Sequence, residues 1–226
     1  MEAAFWQTLW LTFKLAAVTT SFLILLGIPV AYLLSRSRSR WKPFLEALIS
    51  LPLVLPPTVL GFYLLLAFSP EGQFGAWLEQ ALGLRLVFTF SGLVVGSIFY
   101  SLPFMVQPVQ SGFENLPRNL SEASYTLGKS HLQTLLHVQI PNIKPALLTG
   151  IVLAFAHTVG EFGVILMIGG NIPGQTRVAS IAIYDEVEAL NYGLANQYAL
   201  VLVAFAFAIL ALVYSINRRL LRTGWG

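Results

Sequence analysis

Residues 15–35 read LAAVTTSFLILLGIPVAYLLS, a run of 21 residues without a charged side chain, and the basic stretch RSRSR follows at 36–40. A helix needs about 20 mostly apolar residues to cross the roughly 30 Å hydrocarbon core of a bilayer. The run therefore predicts a membrane-spanning helix. The arginines that follow it are typical of a helix end on the cytoplasmic side.

Three further charge-free runs are long enough to cross a membrane, at 47–70, 86–113 and 189–217. The chain of 226 residues is 56% hydrophobic and only 10% charged, whereas about a quarter of the residues in a soluble domain are charged. This composition excludes a soluble or disordered protein. The sequence contains no cysteine, which excludes a disulfide scaffold and thiolate chemistry.

We therefore predict an all-α polytopic membrane protein in which residues 1–226 form a single transmembrane domain. Five spans are expected, and the longest connection on the inner side, residues 112–144, is expected to carry a helix-turn-helix. The predicted spans are 8–34, 44–68, 86–109, 145–169 and 198–217.

The positive charges alternate between connections, which predicts the orientation. Ten of the 13 Lys and Arg residues follow the first, third and fifth spans. Lys- and Arg-rich connections face the cytoplasm, so we expect the amino terminus outside and the carboxy terminus inside the cell. The same distribution argues against nucleic-acid binding. These ten residues are Arg36, Arg38, Arg40, Lys42, Arg118, Lys129, Lys144, Arg218, Arg219 and Arg222.

Prolines interrupt the second and third predicted spans. Pro56 and Pro57 lie in the second and Pro103 in the third, and each removes a backbone donor, so the helix must bend or break. Irregular backbone at membrane depth is tolerated where it is buried in protein or lines a watery cavity. The three prolines are therefore candidates for a pathway through the membrane, with kinks that serve only packing as the alternative.

Glu161 is the only acidic residue well inside a predicted span, and His157 precedes it by one helical turn. Ionisable groups at membrane depth are expensive and are functional candidates by default. The pair could form a buried hydrogen-bonded strut, a gate or pathway element, or a proton relay.

The inner connection predicts two short helices. Asn115 and Gly128 are suited to begin and end the first, and the second is expected to run from Ser130 to about Val138 and to stop at Pro141. The first helix is either a packed or membrane-surface linker or a docking helix for a cytoplasmic partner. Its apolar stripe consists of Leu116, Leu120, Ala123 and Leu127.

The same connection carries a recognisable signature. It consists of residues 122–124 (EAS), then Gly128 after three intervening residues, then residues 138–141 (VQIP) after nine more. This pattern resembles the E-A-A-x3-G-x9-I-x-L-P signature of permeases in binding-protein-dependent ABC importers. The resemblance implies a coupling helix seated in a groove of a separate ATPase subunit. The residues it assigns to coupling are Leu120, Glu122, Ala123, Gly128 and Pro141.

Three more segments are similar to molybdate and tungstate permeases, with sulfate permeases as near relatives: 51–61 (LPLVLPPTVLG), 160–163 (GEFG) and 171–177 (NIPGQTR). The resemblance implies an inner-membrane homodimer with two cytoplasmic ATPase subunits and an external oxyanion-binding protein, for which Asn171 and Arg177 are docking candidates. It implies transport of molybdate or tungstate, with sulfate or thiosulfate as the alternative. It also implies that the chain itself is not catalytic and holds no cofactor.

Other classes of function have weaker support. A secondary transporter would show paired broken helices in two related halves, and an intramembrane hydrolase would show a nucleophile beside a base. Residues 128–130 (GKS) resemble the end of a phosphate-binding loop, but Ala123 occupies the position of its first glycine and no strand is predicted before it. His131 and His137 lack the spacing and the further ligands of a metal site, so no metal is expected.

Overall fold

The structure is a computed structural model that describes the backbone of residues 2–223 and the side chains of residues 2–211 and 215. All regular structure in this part of the chain is helical, which confirms the all-α prediction. The helices are α1 (Glu2–Arg36), α2 (Lys42–Ser50), α3 (Pro57–Phe68), α4 (Gln73–Leu82), α5 (Phe90–Glu114), α6 (Arg118–Thr126), α7 (His131–Thr134), α8 (Ile140–Asn142), α9 (Lys144–Gly160), α10 (Gly163–Gly169), α11 (Ala179–Glu188) and α12 (Tyr192–Thr223).

Within the described residues, three helices are long and apolar enough to cross a membrane: α1, α5 and the 192–211 part of α12. Two bent helix pairs meet the same criteria, one over 42–68 and one over 131–160. The described residues therefore hold three candidate spans, or up to five if each bent pair is one span. Pro103 and Pro108 do not break α5, which continues through both.

The second predicted span breaks where its prolines indicated. The segments Lys42–Leu53 and Pro57–Phe68 meet at 107°. Pro56 has extended backbone (φ −54°, ψ 134°) and Pro57 begins α3. Proline tolerates the first turn of a helix but not its interior, so the chain changes direction here.

The segment 145–169, predicted as one helix, is interrupted, which corrects that prediction. Helix α9 ends at Gly160, Glu161 has extended backbone (φ −68°, ψ 135°), and α10 begins at Gly163. The Ser180 hydroxyl donates to the Glu161 carbonyl, which the break releases from helical hydrogen bonding.

Helices α1 and α5 run parallel and α9 runs antiparallel to α5. Helix α12 runs parallel to α1, because Phe5 packs on Tyr198 and Phe13 on Phe205. The amino terminus and the end of α12 therefore lie at opposite ends of the molecule. The side chains of Arg218, Arg219 and Arg222, which the charge analysis placed in the cytoplasm, lie outside the described residues. Successive contacts of α1 with α5 join Lys14 to Phe90, Gly27 to Met105, and Tyr32 to Phe113.

Candidate functional site

Helix α6 exposes its apolar stripe and buries small polar residues. Leu120 is 37% exposed and Leu127 is 79% exposed, whereas Ser121 and Ser124 are buried. A linker helix packed on its own protein would do the opposite. Three residues of the predicted stripe, Leu120, Ala123 and Leu127, are therefore exposed, whereas the fourth, Leu116, packs against the core of the chain.

Buried polar contacts hold α6 against the 131–142 segment. Ser124 Oγ lies 2.9 Å from Thr134 Oγ1, and Gln139 Nε2 donates to Ser121 Oγ at 2.9 Å. These residues were not predicted. Their signal was the three-residue spacing of Ser121 and Ser124, which puts two small polar side chains on one face of α6, next to the apolar stripe. We name residues 118–142 the coupling hairpin, after the role that the sequence resemblance predicts for it.

Gly128 makes the turn of the coupling hairpin. Its φ of +77° lies in the left-handed region, which glycine adopts without the steric cost of a Cβ. The amide of Lys129 then closes the turn on the Ser124 carbonyl at 3.1 Å. Ser130 and Gln133 form a reciprocal capping box that begins α7.

The second helix of the hairpin does not stop at Pro141, contrary to the prediction. A wide π-helical turn spans Leu135–Gln139, and Pro141 lies in the first turn of α8, where no amide donor is required. The bend comes two residues later, at Ile143, where the hairpin and α9 meet at 76°.

The outward face of the hairpin is an apolar groove of about 500 Å³ between α6 and the segment that follows Gly128. Leu132 and Leu136, in the segment that follows Gly128, are also exposed, at 63% and 49%. The side chain of Glu122 is exposed on another face of α6, does not line this groove, and makes no ion pair with any described residue. A contiguous apolar surface with polar residues at its edge is typical of an interaction site.

Three of the predicted pathway candidates meet at a second site, a cleft of about 440 Å³ beside the break between α9 and α10. Pro57, His157 and Glu161 line it together with Thr58 and Tyr100. Two other candidates do not line it. Pro56 is exposed at the start of α3, and Pro103 is buried within α5.

His157 is fixed by α5. Its Nδ1 lies 2.9 Å from Ser101 Oγ, and its ring stacks on Phe104 with centroids 4.0 Å apart. Ser101 also bonds to Thr158 at 3.0 Å. The sequence analysis missed Ser101, because a serine 56 residues away carries no local signal for this contact.

Glu161 is 3% exposed, and neither carboxylate oxygen has a hydrogen-bond partner among the described residues. The Ser97 hydroxyl lies nearby, also without a well-formed hydrogen bond. The hydrogen-bonded strut, one of the three alternatives for His157 and Glu161, is therefore not formed. Glu161 lies past the end of α9, so the two side chains do not share a helical face.

Close packing of α3 on α10 depends on two glycines. A Cβ on Gly163 would lie 2.7 Å from Pro57 Cβ, and a Cβ on Gly61 would lie 2.9 Å from the Val164 Cα. Gly160, by contrast, has nothing within 4 Å of that position and is not a close helix contact. Glycine thus lets one wall of the cleft form and leaves open space at its edge.

The turn that contains Asn171 and Arg177 is fixed to α11. Asn171 donates to the Asp185 carboxylate, and the Arg177 guanidinium lies 3.1 Å from Asp185 and 3.5 Å from Glu186. Arg177 is therefore neutralised within the chain, and the turn has a defined shape.

Comparison with known proteins gives one family. The family described as "Binding-protein-dependent transport system inner membrane component" matches residues 23–222. The molybdenum transport system permease protein ModB of Azotobacter vinelandii is 50% identical over 209 residues, which cover 92% of each chain. The sulfate transport system permease protein CysT of Salmonella typhimurium is 36% identical over 206 residues, which cover 91% of this chain and 73% of that protein.

A solved structure has the same fold. A chain of the MetNI methionine ABC transporter in an inward-facing conformation superposes with a TM-score of 0.75 at 18% identity, over 97% of each chain. At that identity the similarity concerns the fold alone.

Proposed function

The chain belongs to the family of binding-protein-dependent transport system inner membrane components, and from this premise we propose that it forms the membrane pathway of an importer for molybdate. Permease subunits of this family are non-catalytic, so ATP hydrolysis takes place on a separate subunit. The observation that carries the substrate assignment is the 50% identity to a molybdenum permease over 92% of both chains.

Uptake into vesicles tests the substrate. The chain is reconstituted with a partner ATPase and an oxyanion-binding protein, and radiolabelled molybdate is supplied with ATP. An excess of unlabelled tungstate is expected to inhibit molybdate uptake, and the same excess of sulfate is not. Sulfate uptake with no molybdate uptake would contradict the assignment.

Sulfate is the second candidate, because the chain is also 36% identical to a sulfate permease. The lower identity and the lower coverage of that protein make it the weaker candidate. Competition by equal concentrations of unlabelled molybdate and unlabelled sulfate separates the two, since the stronger inhibitor of labelled uptake identifies the substrate.

The coupling hairpin receives the ATPase subunit. Its exposed stripe of Leu120, Ala123 and Leu127 fits helix-in-groove recognition, in which an apolar helix face enters a groove of the partner. The contacts of Ser121 and Ser124 make the hairpin a single unit, and its junction with α9 would pass ATPase closure to the membrane helices. Glu122, exposed on another face of α6, is available to pair with a basic residue of the ATPase.

The cleft at Pro57, His157 and Glu161 lies on the translocation pathway, and a second copy of the chain completes its wall. Up to five spans enclose too little space for an oxyanion conduit, and two-fold homodimers are the commonest closed assembly. Exposed apolar residues near the proline break support such an interface, with Val54 84% and Tyr63 62% exposed. Light scattering of the purified chain should give the mass of a dimer, and a monomer in the intact transporter would contradict this.

The outer connections face the binding protein. The positive-inside distribution puts the 171–177 turn outside, at the opposite end of the molecule from the coupling hairpin. The ion pairs of Arg177 give that turn the fixed shape that a docking surface needs. We assign Asn171 and Arg177 to this contact, Arg177 through its support of the turn.

A further inference from the structure

Another cleft, separate from the one at Pro57, His157 and Glu161, lies where the end of α1 meets the start of α6. Its volume is about 630 Å³, within the usual range for a ligand pocket. Arg36 and Arg38 line it from α1 and the residues after it, and Arg118 lines it from the first turn of α6. The transport function proposed above uses none of these arginines.

The charge of this cleft is unbalanced. Within the described part of the chain, Arg36, Arg38 and Arg118 make no ion pair. The fourth cation, Lys42, lies 2.9 Å from Glu114 and so neutralises one of the two carboxylates in the lining. The three guanidinium groups then share the cleft with one further carboxylate, that of Glu122. The excess of positive charge favours an anionic ligand. Guanidinium groups recognise phosphate by paired hydrogen bonds.

The position of the cleft along α1 corresponds to the level of the lipid head groups. From Lys14 to Arg36 the helix rises roughly 33 Å, close to the thickness of the hydrocarbon core, and no charge lies between them. Leu26 and Leu33 lie on the same face of α1 as Arg36 and are 49% and 67% exposed. A strip suited to acyl chains thus leads directly to the arginines.

We propose that Arg36, Arg38 and Arg118 bind the phosphodiester head group of an anionic phospholipid whose chains lie along α1. The lipid would bridge α1 to the coupling hairpin and restrain the hairpin relative to the membrane. Only the choice of the cytoplasmic leaflet rests on the proposed function and its orientation.

The test uses the purified full-length chain in nanodiscs of phosphatidylcholine, with or without one fifth phosphatidylglycerol. After release into detergent, native mass spectrometry counts the lipids that the chain retains. The wild-type chain is expected to retain phosphatidylglycerol. A chain with Arg38→Gln and Arg118→Gln should bind it more than tenfold more weakly, at about fivefold per arginine. Arg85→Gln, which removes an exposed arginine outside the cleft, should bind as the wild type.

Three outcomes would overturn the proposal. Equal retention by the double variant and Arg85→Gln would show that the cleft does not hold the lipid. Displacement of the lipid by millimolar inorganic phosphate or molybdate would identify a site for free anions. In a parallel co-purification with the ATPase, loss of that subunit from the double variant with unchanged lipid retention would assign the arginines to the ATPase contact. Circular dichroism checks that the variants fold, and none of these readouts depends on transport.

Discussion

Gly128 and Gly83 both have left-handed backbone, with φ of +77° and +65°, and neither has another atom within 4 Å of where a Cβ would lie. The cost of a side chain at either position is therefore conformational and not a steric clash. Gly128 turns the coupling hairpin and Gly83 ends α4, so the two are a matched pair for separating strain from function.

We expect Gly128→Val and Gly83→Val to destabilise the protein similarly, by about 1–2 kcal/mol, because the left-handed region is unfavourable for residues with a Cβ. Only Gly128→Val should uncouple ATP hydrolysis from molybdate uptake. Both rates are measured on variants that insert into the membrane as well as the wild type does. Unaltered uptake in Gly128→Val, or equal loss in Gly83→Val, would refute the role of this turn.

His157 and Glu161 line one cleft but should respond oppositely to substitution. His157→Ala loses the Ser101 hydrogen bond and the Phe104 stack, at a cost of about 2 kcal/mol. Glu161→Gln removes a group that is costly to bury in charged form and that makes no hydrogen bond with a described residue. Thermal unfolding in detergent should therefore give a lower Tm for His157→Ala and an equal or higher one for Glu161→Gln. A large drop in Tm for Glu161→Gln would restore the strut interpretation.

At the scale of helices and hairpins, the coupling hairpin is a rigid body only if its buried hydroxyl pair holds. Ser124→Ala leaves Thr134 Oγ1 buried without its partner and should cost about 1–2 kcal/mol. The double variant Ser124→Ala with Thr134→Val should recover most of that loss. Tm values of the four proteins give the coupling energy, and additive losses would show that the contact does not stabilise the hairpin.

The contact between α3 and α10 makes a second prediction at this scale. Gly163→Ala places a methyl group 2.7 Å from Pro57 and should separate the two helices, with a loss of about 1–3 kcal/mol. Gly160→Ala is the control, because the space around it is open. Expression and Tm should fall for the first variant only. Equal stability of both would mean that the close approach is not required.

For the whole molecule, the orientation is the remaining prediction, and a sequence without cysteine makes it simple to test. Ala123→Cys in the coupling hairpin and Glu79→Cys in α4 both lie at exposed positions. A membrane-impermeant maleimide should label Glu79→Cys in intact cells, and Ala123→Cys only in inverted vesicles. Labelling of Ala123→Cys in intact cells would contradict both the orientation and the role of the hairpin.

Much of the fold follows from local signals. Long charge-free runs predicted α1, α5 and α12, and Pro56 and Pro57 predicted the break of the second segment, because each depends on neighbouring residues only. Gly128 likewise predicted a turn between two short helices. Pro57, His157 and Glu161 could also be selected as candidates from the sequence, because a proline or an ionisable side chain is unusual inside a membrane helix.

Other features depend on distant contacts and could not be predicted. The break at Glu161 needs Pro57 to lie against Gly163, about a hundred residues later in the chain. Burial of Ser124 needs Thr134 across the turn. Pro141 was expected to stop a helix, but the π-helical turn before it changed which backbone groups needed partners.

Hydrophobicity and charge along the chain were enough to identify a helical membrane protein and to show that its positive charges fall in alternate connections, because both properties act residue by residue against the bilayer. Tertiary contacts were needed to find where the fourth apolar segment breaks, which face of the coupling hairpin is exposed, and which residues surround the buried carboxylate. Those outcomes depend on how close two backbones can approach, and that is a property of pairs of distant residues.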